Sequence, residues 1–157
     1  MNATLVRRAL AALTVIAILG AGFELAVERH WRSATQLVPW AALGLLAVGV
    51  LLLLLNRVSG VVRAIAAVVL AASAFGVFAH VSANMTVGTF SGALDGVSAI
   101  GQWWQAFTKS VGDTPPLAPG MLAQAALLLL LATYVTHRAP APRHAQAPAA
   151  VRKPAGR

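Results

Sequence analysis

The chain has 157 residues, 59% of them hydrophobic and only 10% charged, with a formal net charge of +8 and no cysteine. Soluble domains carry about 25% charged residues, so this composition belongs to an integral membrane protein, and the missing cysteine excludes disulfides, thiolate metal sites and thiol chemistry. The basic excess would point to nucleic acid in a soluble domain, but here its distribution along the chain points elsewhere.

Four apolar runs predict an all-α protein: a four-helix transmembrane bundle over residues 1–136, with spans at about 9–27, 38–55, 64–82 and 117–135. Each run has 18 or 19 residues. At 1.5 Å per residue that crosses a hydrocarbon layer of roughly 30 Å. The first run follows Arg7 and Arg8 in the manner of a signal peptide. Its length and the poor small-residue pattern at Gly20-Ala21-Gly22 favour an uncleaved anchor. Glu24 and Glu28 stand one turn apart on one face near its outer end. A polar turn, ERHWRSATQ, leads to the second run, where Pro39 is expected in the first helical turn.

The third run, AIAAVVLAASAFGVFAHVSAN, carries a polar line of Ser73, His80 and Asn84 at spacings of seven and four. These spacings share one helix face. In lipid such a face turns toward protein or water, because an unpaired polar group costs several kcal/mol. Ala64, Ala67, Ala71 and Ala74 form a small-residue stripe, and Ala17/Ala21 and Ala72/Gly76 are spaced for close helix approach. After it, SGALDGVSAIGQWWQAFTKSVG repeats apolar residues at helical spacing. This predicts an amphipathic helix over about 92–111 at the outer interface, with Ser91 as N-cap and Gly112 past its end. The fourth run contains Gln124 and has Pro119 near its start. The tail, 137–157, alternates Pro, Ala and basic residues and is predicted to be a disordered cytoplasmic segment.

Orientation follows from Lys and Arg. With the N-terminus inside, nine basic residues lie on the inner side and three, Arg29, Arg32 and Lys109, on the outer. The expected placement is therefore the bacterial cytoplasmic membrane, multi-pass, with both termini inside. The basic residues report topology, and no nucleic-acid partner is expected: no aromatic platform accompanies them.

Glu24, His80, Asn84 and Gln124 are expected at one level in the outer half, as a polar cluster with Glu24 in hydrogen-bonding reach of His80 or Asn84, directly or through one water. Two roles are open for it. One is structural, a hydrogen bond that fixes helix register. The other is a ligand, proton or metal site, the metal set being Glu24, His30 and His80, since carboxylate and imidazole suit zinc, iron or copper. Haem would need His30 and His80 as a pair, and no HExxH-type spacing fixes a metal. No catalytic residues are assigned: Ser73 and Ser82 lack a nucleophile setting. The expected function is a non-enzymatic accessory or assembly protein acting by intramembrane packing, without cofactor. Its partners would be the lipid bilayer and another membrane protein or a second copy. The alternatives are a small metal-, haem- or ligand-binding protein using the Glu/His/Asn cluster, and an oligomeric transporter.

Five segments, ELAVERHW (24–31), QLVPW (36–40), HVSAN (80–84), PPLAPG (115–120) and TYVTHRAP (133–140), resemble a family of small four-helix bacterial integral membrane proteins of unknown function. The resemblance implies that Glu24, His30, His80, Asn84 and Pro119 are the family positions, and it implies no activity. An acidic residue after the HxxxN element belongs to that pattern, whereas MTVGTF follows here, which counts against a metal.

Overall fold

The computed structural model describes residues 2–56 and 59–135, and the predicted tail lies outside them. Among the described residues there are five helices and no strand. They are α1 (Ala3–Val27), α2 (Ala34–Leu54), α3 (Ser59–Phe90), α4 (Ala99–Phe107) and α5 (Gly120–Tyr134). By length and composition α1, α2 and α3 are able to cross a membrane, while α5 is a shorter apolar helix.

The helix ends follow local chemistry. Asn2 starts α1 by accepting from Thr4 N–H at 3.1 Å, six residues before the apolar run begins. Ser33 does the same for α2 through Gln36 N–H. The earlier start puts Pro39 at the sixth position of α2 rather than in its first turn. A proline there removes the i→i−4 bond to the Thr35 carbonyl.

The largest departures from expectation lie beyond residue 82. α3 does not stop there but runs to Phe90, about 48 Å at 1.5 Å per residue. Nothing in Val81–Phe90 breaks a helix, and Val81, Asn84 and Gly88 are buried, the last under Leu94 and Val111. The predicted interfacial helix shrinks to the nine residues of α4. Its first third is turn, with Gly92 and Gly96 at positive φ, and the N-cap is Ser98 rather than Ser91. Ahead of α5, i→i−3 bonds such as Ala118 N–H to the Pro115 carbonyl wind a tight turn, because prolines at 115, 116 and 119 supply no N–H.

α1 packs on α2 and α5, and α3 packs on the same two; α2 meets α5, while α1 and α3 make no close backbone contact. Leu46 of α2, Val62 and Val69 of α3 and Leu129 of α5 are fully buried at the centre. A second small core, Val81, Leu94, Ala106 and Val111, joins the end of α3 to α4. Lipid is as apolar as leucine, so close packing and interhelical hydrogen bonds must hold such a structure in a bilayer. Near the start of α1, Arg7 donates to the Asn56 side chain and the Leu53 carbonyl, tying α1 to the end of α2. Arg63 lies 4.4 Å over the Tyr134 ring and donates to Thr133 Oγ1 at 3.1 Å, tying α3 to α5.

The small-residue pattern divides in two. Gly76 lies on Pro119, where an added Cβ would come within 2.9 Å of the proline ring. The stripe Ala64, Ala67, Ala71 and Ala74, in contrast, is exposed and makes no use of its smallness within the chain.

Candidate functional site: the outer cavity

Between the C-terminal end of α1, the N-terminal end of α2 and the middle of α3 lies a cavity of about 810 Å³, bounded on its remaining side by residues 109–119. It exists because its walls are small: Ala21 on α1, Ala72, Gly76, Ala79 and Ala83 on α3, and Ala118 before α5. Charged and polar groups also line it, namely Glu24, Glu28, His30, His80, Lys109 and Asp113. Three of the four acidic residues of the chain are among them.

Helix endings place these groups. α1 closes with a Schellman pair, His30 N–H to the Leu25 carbonyl at 2.9 Å and Arg29 N–H to the Ala26 carbonyl at 3.1 Å. Arg29 takes the left-handed position with φ 50°. A residue with a Cβ is disfavoured there by about 1–2 kcal/mol. The turn carries His30 over the cavity, and Trp40 Nε1–H holds its carbonyl at 2.7 Å. α4 ends in the same way, with Ser110 N–H on the Gln105 carbonyl and Lys109 at φ 60°.

Asn84 fastens the lid. Its amide nitrogen donates to the carbonyls of Ala106 (2.9 Å) and Thr114 (2.8 Å), and its oxygen accepts from Thr114 N–H (3.0 Å). The side chain is fully buried, so these bonds are its whole environment. Gly112 lies directly against it: φ is 72°, and an added Cβ would be 2.8 Å from Asn84 Cα. His80 Nδ1 is 2.7 Å from the Pro115 carbonyl. An N–H there donates, which fixes the tautomer. Ser73 Oγ donates to the Pro119 carbonyl at 2.5 Å. The polar line of α3 thus binds the backbone of residues 106–119 throughout its length.

The structure brings part of the expected cluster together. Glu24 and His80 share one cavity; no direct hydrogen bond joins Glu24 to His80 or Asn84, and His80 Nδ1 and the Asn84 amide meet backbone carbonyls of residues 106–115 instead. Gln124 is exposed on α5 and does not line the cavity. His30, by contrast, reaches His80, with ring centroids 6.5 Å apart. Among the described residues no three His, Cys, Asp or Glu side chains converge as a metal site. Lys109 and Asp113 join the cavity although the sequence signals them only faintly, as two charges at the end of an outer segment that reads as one continuous helix. Burial lowers the His30 pKa from its ordinary value; the charge of His80 lowers it further, and Glu28 opposes both.

Comparison with protein-family models, curated proteins and solved structures returned no match. The five-segment resemblance therefore has no family model behind it. Four of those segments, 24–31, 36–40, 80–84 and 115–120, contribute residues to the cavity wall.

Proposed function

We propose that the chain is a non-enzymatic, four-span protein of the bacterial cytoplasmic membrane, with both termini inside, that holds a small ligand in its outer cavity. The observation that carries this reading is the cavity itself. Its volume falls within the roughly 300–1,000 Å³ of small-molecule sites, and its mostly apolar walls with a few polar groups match their usual make-up. α5, preceded by the tight turn from Pro115, supplies the fourth crossing. The nine-to-three division of basic residues supplies the orientation.

The test is native mass spectrometry of the protein released from its own membranes. The wild type is expected to carry an adduct of constant mass that Ala79→Leu, which narrows the cavity at its α3 wall, weakens or loses. Bare chain in the wild type, under conditions that keep lipid adducts on a control membrane protein, would refute the reading.

A second reading, accessory packing on another membrane protein or a second copy, is favoured by the exposed stripe Ala64, Ala67, Ala71 and Ala74. Crosslinking from Ala67→Cys in native membranes separates the two: a discrete adduct supports the packing role, and a monomer throughout removes it.

A further inference from the structure

We propose that the ligand of the outer cavity is an amphipathic organic cation, its charged head at the rim beside Glu24, Glu28 and Asp113 and its apolar part against Ala72, Gly76 and Leu122. This rests on the reading of the cavity as a binding site. The cavity makes the site, and the acids choose the sign of its occupant.

The chain is strongly basic, with 12 Lys and Arg against 4 Asp and Glu. Yet the cavity reverses that balance: three carboxylates face one fully charged cation, Lys109. None of the three carboxylates has a hydrogen bond or ion pair among the described residues. Two of them, Glu24 and Glu28, sit one turn apart on α1, so both reach one charged group from the same side.

An apolar wall selects the other half of the ligand. Ala72 and Gly76 stand two turns and one turn before His80 along α3, and Leu122 is in the first turn of α5; none carries a polar side-chain atom. A fully polar ligand, or a bare metal ion, would leave that wall without a partner. Phe75 also lines the cavity and is half exposed. Its ring adds to the apolar surface beside Ala72 and Gly76. α1 and α3 make no close backbone approach, which leaves room between these two walls.

The probe pair is tetraphenylphosphonium and tetraphenylborate, which share shape and differ in sign, with triphenylphosphine oxide as the neutral analogue. Binding to the purified full-length protein in detergent is measured by equilibrium dialysis. Tetraphenylphosphonium is expected to bind saturably and tetraphenylborate not at all. The double variant Glu24→Gln/Glu28→Gln is expected to weaken the cation by about tenfold or more, equivalent to about 1.4 kcal/mol. Both positions are exposed, so folding is retained, and circular dichroism checks that. Equal binding of the two ions, or an unchanged affinity in the double variant, would overturn the cation assignment. Neutral binding that Ala79→Leu removes, without cation binding, would also overturn it while leaving the cavity a ligand site. Indifference of every probe to Ala79→Leu would overturn both.

Discussion

Asn84 joins three parts of the chain with one side chain, satisfying the last turn of α4 through the Ala106 carbonyl and both backbone groups of Thr114. Truncating a buried amide leaves its partners unpaired, at about 1–3 kcal/mol for each group that water does not reach. Asn84→Ala is therefore expected to lower stability by about 2–4 kcal/mol in thermal unfolding in detergent. Gly112→Ala should cost at least as much, since both φ and space oppose it. Equal melting of either variant and wild type would show that residues 106–114 are not held this way. His30 gives a pH signature. Its folded pKa lies below the ordinary 6.5, so the unfolded chain binds this proton more readily. Stability should then rise with pH through the window from the lowered value up to about 6.5, and be flat beyond it. His30→Gln should remove that increment; persistence of the same slope in the variant would assign it elsewhere. His80 and Glu28 are the neighbours that act on His30 electrostatically and are to be held constant in that comparison.

At the scale of elements, the C-terminal half of α3 and α4 form one packed unit. Ile100, Trp103, Trp104 and Phe107 occupy one face of α4 at spacings of three and four, and Ile100 is 86% and Trp104 63% exposed. Trp103 and Trp104 both stack on Phe107, at 5.9 and 6.1 Å between centroids. Such a face suits the membrane–water interface, where aromatic rings are enriched. A single-Trp variant retaining Trp104 in nanodiscs should be quenched more strongly by lipids brominated near the headgroup than by lipids brominated at the chain end. Quenching by aqueous iodide alone would place α4 above the lipid.

The same elements show what periodicity reveals and what it hides. The apolar runs behind α1, α2 and α3 and the shared face of Ser73, His80 and Asn84 are legible in the sequence, because both depend on spacing alone. The stripe from Leu94 to Val111 reads as one helix, yet Leu94 and Val111 are buried while Ile100 and Trp104 between them point out. The left-handed turns at Gly96 and Lys109 rotate the register between these residues, and no count of apolar positions contains that rotation. Partner choice is equally hidden: Asn84 and His80 bind backbone carbonyls, which every sequence supplies and none advertises.

For the whole molecule, the proposed membrane orientation turns the cavity outward. A reporter active only outside the cytoplasm, fused after Arg157, should be silent, and the same reporter inserted at Asp113 should be active; the reverse pattern would invert the topology. The chain contains no cysteine, so a single introduced thiol is an unambiguous probe. Ala83 is exposed and lines the cavity. The most direct measurement is therefore labelling of Ala83→Cys with a membrane-impermeant maleimide in intact cells. Rapid labelling is expected without permeabilisation, slowed when Ala79→Leu narrows the space beside it. Labelling that appears only after the membrane is breached would contradict an outward-facing cavity.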